Sequence, residues 1–234
     1  MHPETPVSAV LVAWGNAWLA GHVGLDEAAD RIEQVAGPVV VDGVPLRSSL
    51  ADMRLKGLGE LRLALPAPGD PLGLSGPPPF NAAAIDAGEA AIAVLPQGNL
   101  GLVPFPDVRG SSYSGVGFAV HQAGPARADL PSVREAEREL AAVMRAATEA
   151  LDGVGGPGGA WPSRLPDGEL APGYPARAHR LQALAARLAA ALRLAGRRGL
   201  TAGELAARDV ALRELDRAVR RAQVACHHGI LEER

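Results

Sequence analysis

A single cysteine, Cys226, stands in 234 residues. That excludes a disulfide framework and any metal site built on clustered thiolates. Lysine is almost absent too: 22 of the 23 basic residues are arginine and Lys56 stands alone, so Schiff-base chemistry has one candidate. Aromatic residues make up 3% of the chain, too few for the stacking platforms that hold single-stranded nucleic acid. No apolar run reaches the roughly 20 residues needed to cross a bilayer, and the stretch from Val7 to Ala20 is broken by Asn16. No basic residue precedes Arg31, so the start does not read as a secretory leader. The expected location is the cytoplasm, with no membrane partner.

The composition that remains is that of a globular protein, 47% hydrophobic and 21% charged with a net charge of -3. This length can bury a core as one domain, or as one domain with a helical appendage. Charge is unevenly placed. Residues 1–130 hold 7 basic and 13 acidic side chains and residues 131–234 hold 16 and 13, leaving the two parts at -6 and +3.

Periodicity divides the chain in the same way. Leu11, Trp14 and Trp18 recur at helical spacing, and Asp26-Glu27 open a second helix running to about Ala36. Short strands are expected at Val39–Val41, Glu60–Leu65, Glu89–Leu95, Leu100–Val103 and Val116–His121, with a hairpin turn at Pro96–Asn99. Short helices are expected over Leu50–Lys56 and Asn81–Ala87. From Pro131 the pattern is helical, with helices at about 131–151, 176–196 and 202–227, the last opened by the capping box Thr201–Glu204. The fold class is α+β: an N-terminal helix pair, a small and mostly antiparallel sheet, and a C-terminal segment like a three-helix bundle. The organisation is an α+β domain over 1–130 and a helical region over 131–234 packed on it, or on a second subunit.

No catalytic constellation emerges. Gly153–Gly158 spells G-x-G-x-x-G, but a helix precedes it and Pro157 removes an amide, so it reads as a linker and implies no dinucleotide cofactor. The long Pro/Gly loop 66–81 offers Asp70, Ser75 and Asn81, either as ligands for a small molecule or peptide or as plain turn chemistry. The loop 110–115 offers Ser112 and Ser114 beside Arg109, either an anion site or a structural connection. Asp26, Asp30 and Glu33 share a helical face that reads as solvated. Cys226-His227-His228 cannot converge on one metal ion from adjacent helical positions; Cys226 falls on the apolar seam and the histidines near a helix end that favours cations. Trp14 and Trp18 form a large apolar surface, core or interface. Finally, 170–203 carries six arginines and no acid. Arg177, Arg180 and Arg187 on that helix are candidates for holding an anion, or for docking on the acidic N-terminal helices.

The stretches Trp14–Gly21, Ala67–Gly73, Phe80–Glu89 and Leu170–Pro175 resemble segments of uncharacterised actinobacterial proteins. The resemblance covers much of the chain and implies a cytoplasmic protein, but no activity, cofactor or site. The function expected from the residues is therefore a non-catalytic interaction or regulatory role, with a homodimer or another protein as partner. Two alternatives stand beside it: an enzyme acting on a small anionic metabolite, and association with nucleic acid through the arginine-rich helix.

Overall fold

The structure is a computed structural model and describes residues 5–109, 113–125, 130–151, 168–195 and 202–232. The Gly153–Gly158 motif, Ser112 and Thr201 lie outside the described residues. In chain order the elements are α1 (Val7–Leu19), α2 (Leu25–Ala36), β1 (Val39–Val41), β2 (Val44–Pro45), α3 (Leu46–Leu55), β3 (Glu60–Ala64), α4 (Pro78–Ala87), β4 (Ala90–Val94), β5 (Asn99–Arg109) and β6 (Tyr113–Ala123). Then come α5 (Val133–Leu151), α6 (Ala176–Ala195), α7 (Ala202–His228) and a terminal 3-10 turn. The protein is α+β.

The six strands form one sheet in the order β2-β1-β6-β5-β4-β3. β1 runs parallel to β6 and every other pair is antiparallel. Two hairpins behave as their sequences dictate. Gly98 closes the β4–β5 turn onto Leu95. Asp42 and Gly43, both at positive φ, make the two-residue turn between β1 and β2, the conformation for which an Asp-Gly pair is selected. β5 and β6 are each longer than the sequence pattern indicates. They pair from Asn99↔Ala123 to Arg109↔Tyr113, so Ser114 is a strand residue and not part of a binding loop. Pro104, Pro106, Gly115 and Gly117 weaken strand propensity there, and continuous pairing along the partner strand overrides it.

Side chains alternate across this sheet, and its two faces are covered unequally. On one face Leu61, Leu63, Leu102 and Phe118 meet Leu11, Ile32, Leu46 and Leu50 from α1, α2 and α3. On the other, among the described residues, α4 and the loop before it pack, with Phe80, Ala84 and Leu74 on Ile92, Val103 and Ala90. A third cluster joins α5, α6 and α7 through Leu140, Leu181, Val219 and Cys226. α1 belongs to both large clusters: Leu11 and Val12 face the sheet while Ala13 and Ala17 face the bundle. Eleven of its 13 residues are buried, as expected of a helix apolar all round. Each fully buried leucine or valine there contributes about 1.5–3 kcal/mol. Gly15 lets α1 approach β3, because a Cβ there would run into Leu61. α1 has no acid in its own first turn, and the Glu89 carboxylate accepts from the Ser8 amide at 2.6 Å instead. No helix among the described residues is long and apolar enough to cross a membrane.

Candidate functional site

β3 lies at the sheet edge, where backbone groups turned away from β4 need partners. Three helical side chains supply them. The Asn16 amide, buried in α1, donates to the Leu61 carbonyl at 2.7 Å and accepts from the Leu61 N–H at 2.8 Å, so it acts as a one-residue strand. The Leu63 N–H donates to Nε2 of His228 at 2.9 Å, and Arg220 donates to the Leu65 carbonyl at 2.8 Å. The same arginine pairs with Asp70 at 3.1 Å and with Asp216 at 2.9 Å, and Arg217 reaches Asp70 at 3.7 Å. Asp70 is thus the anchor by which the Pro/Gly loop is tied to α7.

The histidines correct the sequence reading. They sit at a helix end that favours cations, yet both are held neutral. His227 is enclosed, and burial lowers its pKa to about 4. Its Nδ1 donates to the Gln223 carbonyl at 2.7 Å, a bond that assigns the proton to Nδ1. Burial, the Arg62 guanidinium and His227 push His228 down to about 3, which matches its role as acceptor for Leu63. Desolvation outweighs the helix dipole at this end. The Tyr174 hydroxyl, raised by burial above its ordinary range, donates to the His227 carbonyl at 3.1 Å. Burial likewise raises the Cys226 thiol to about 12, so Cys226 is an inert filler of the seam. Among the described residues no group of three His, Cys, Asp or Glu side chains is placed to hold a metal ion.

The other sequence candidates are dispersed. Asn81 accepts from the Gly76 N–H at 3.1 Å and shapes its own loop, while the Ser75 hydroxyl is buried with no partner. Ser114 is exposed at the far end of the β5–β6 hairpin. Arg109 ends β5 seven residues beyond Leu102, the last residue paired to β4, about 20 Å along the strand. Trp14 and Trp18 are half-buried against the cores, and each carries an arginine over its ring, Arg31 at 5.6 Å and Arg54 at 5.8 Å. The Asp26 and Asp30 carboxylates meet Arg47 of α3, both at 2.8 Å, on a face that is exposed to solvent.

Two surfaces remain. Among the described residues, no helix is seen packed on the second face of the sheet beyond α4. There the register aligns Phe105, Gly117, Val40 and Pro45 in one row across four strands. Phe105 lies over Gly117, where a Cβ would collide with its ring, and is still 47% exposed. The second surface is an open groove of about 350 Å³ at the start of α5 and α6, lined by Arg134, Arg177, Arg180, Pro175, Gly229 and Glu232. Arg177 and Arg180 are brought together here with Arg134, which sequence reading passed over because it stands in another helix. Arg187 is not among them; its Nε donates to the Ala183 carbonyl. Arg177 pairs with Glu137 of α5 at 3.2 Å.

The fold defines an α+β protein in which a half-open mixed sheet is bolted along one edge to a helical bundle. The chain belongs to the Rv1486c-like family. The model of the Rv1486c-like protein N-terminal domain matches residues 8–133, and that of the C-terminal domain matches residues 134–224. Two curated relatives are similar to it, both from Mycobacterium tuberculosis: Uncharacterized protein Rv1486c of strain ATCC 25618 / H37Rv and Uncharacterized protein MT1533 of strain CDC 1551 / Oshkosh. Each is 29% identical over 188 residues, a match covering 63% of this chain and 65% of the relative. The chain thus spans less than two thirds of the length of these relatives. No solved structure matches it.

Proposed function

We propose that this is a non-catalytic interaction protein, acting in the cytoplasm, whose binding surface is the open half of the sheet. The observation that carries this is Phe105, a large aromatic left half in solvent on a row of Gly117, Val40 and Pro45. A sheet face ordinarily needs a second layer, and among the described residues α4 and Leu74 supply one over β4, β5 and the His121–Ala123 end of β6, short of Phe105. Two of the polar groups that the enzyme reading names are engaged elsewhere: Asp70 with arginines of α7 and Asn81 in its own loop. The partner is a protein presenting an apolar helix or strand face to this row.

A photo-crosslinking residue placed at Phe105, with Leu55 as control, tests the reading. Leu55 is 87% exposed and lies on α3, away from the open face. The expected outcome is one discrete adduct from position 105, lost on Phe105→Asp at a neighbouring label and absent from position 55. Equal, diffuse labelling from both positions would count against the proposal. An adduct of twice the chain mass would make the partner a second copy.

A further inference from the structure

The first turn of a helix carries unpaired amides and positive potential, so acids belong there and arginines oppose it. α6 breaks this rule: Arg177 is its second residue and Arg180 its fifth, and the first turn has no acid. Arg134, second in α5, faces the same groove. The two helices differ in how their ends are served. Ser132 and Glu135 form a capping pair on α5 at 2.9 and 3.3 Å, and the Val133 N–H donates to Oε1 of Glu232 at 3.1 Å. Among the described residues, neither the Arg134 nor the Arg180 guanidinium meets a carboxylate within ion-pair distance, and only Arg177 has one. Three arginines thus line one groove at a positive helix end, one of them paired to Glu137, an arrangement that the helix-end potential disfavours. Such violations of local rules cluster at functional positions.

We infer that this groove binds a small phosphomonoester, its phosphate dianion held by Arg134, Arg177 and Arg180 at the start of α6. Guanidinium groups match phosphate oxygens in pairs, and charge-assisted bonds of this kind are the strong ones. The cavity volume, about 350 Å³, lies at the lower end of the range for small-molecule sites. Glu232 also lines the groove. With Oε1 engaged by Val133, Oε2 accepts from a hydroxyl or ammonium group on the body of the ligand. The same carboxylate disfavours a continuous polyanion, and no aromatic side chain lines the groove for a base to stack on. Arg187, farther along α6 and bonded to its own helix, does not extend the site.

Calorimetric titration of the full chain with glycerol 3-phosphate, inorganic phosphate and glycerol tests this. Thermal unfolding would be followed in parallel, with ionic strength matched by chloride. Saturable binding is expected for the two phosphates and none for glycerol. Arg180→Gln and Arg134→Gln should each weaken glycerol 3-phosphate by about tenfold, the worth of one charge-assisted bond, and Arg187→Gln should leave it unchanged. Without phosphate, Arg180→Gln should unfold at the same or a higher temperature than the parent, because it removes a conflict with the helix end. The proposal fails if neither phosphate binds saturably, or if both groove variants bind like the parent. It fails equally if Arg187→Gln loses as much, or if Arg180→Gln is destabilised without ligand, which would make the arginine structural. An oligonucleotide that displaces glycerol 3-phosphate at lower concentration, with steep salt dependence, would replace the small ligand by nucleic acid.

Discussion

The two ends of the sheet meet the same physical problem and answer it differently. At the β3 edge, unpaired backbone groups are buried and therefore must be bonded. Asn16, His228 and Arg220 do this from α1 and α7, 45, 165 and 155 residues away along the chain. At the other end the edge is left in water and blunted instead. β2 is two residues long and ends in Pro45, while β5 beyond its pairing with β4 carries Pro104 and Pro106, which have no N–H to offer a passing strand. Sealing an edge with side chains couples distant parts of the chain and makes each cap costly to lose. Blunting an edge costs little and leaves the adjacent face, with Phe105, available to a partner.

The sharpest way to break this contrast is to remove a seal. Asn16→Ala leaves the Leu61 N–H and C=O both buried and unpaired, and is expected to cost about 3–4 kcal/mol, read as a lower urea midpoint at unchanged slope. Acid should loosen the same edge. His227 and His228 have folded pKa values of about 4 and about 3, depressed below the ordinary 6.5. The unfolded chain therefore binds more protons than the folded one below pH 6.5. The stability of the neutral pair is complete above that pH and is lost progressively as pH falls toward 4, by about 3 kcal/mol from His227 alone. Urea midpoints measured from pH 7 to 4 would show it, and His228→Gln, which keeps an acceptor for Leu63 but cannot titrate, should flatten the slope. A steep slope unchanged in that variant would place the titration elsewhere.

A smaller effect is expected where the seal is partly in solvent. Asp70→Ala frees the Pro/Gly loop from Arg220 and Arg217, but Arg220 keeps Asp216 and the Leu65 carbonyl, so a loss of about 1–2 kcal/mol is expected. Proteolysis within 66–81 should quicken in that variant while the global midpoint shifts modestly. The smallest effect belongs to the open end. Phe105→Ser should change stability by about half a kcal/mol or less and yet abolish crosslinking through the open face. A large destabilisation would show that Phe105 is core and not surface.

Much of the secondary structure is legible without coordinates. α5, α6 and α7 start and stop within two residues of the positions their apolar spacing indicates, because long amphipathic helices declare themselves by period and by Pro and Gly at their ends. Shorter elements are less so. α3 begins at Leu46, four residues earlier than the apolar pattern shows, and α4 begins at Pro78, where two prolines occupy its first turn. The β1–β2 hairpin was available in the Asp42-Gly43 pair, a direct turn signature. The roles of Asp70 and the two histidines were not available, since each depends on a partner more than 90 residues away or on burial that no local pattern encodes.

By itself the sequence determined the α+β class, the helical C-terminal segment, the apolar seam containing Cys226 and the gathering of arginine after residue 170. Those properties follow from spacing, propensity and composition, all of which act over a few residues. Only the tertiary structure decided which edge of the sheet is sealed, that His228 is a neutral acceptor, and that Arg134 joins Arg177 and Arg180 around one groove. Desolvation and convergence depend on the sum of what surrounds a group, and that sum exists only once distant segments have packed together.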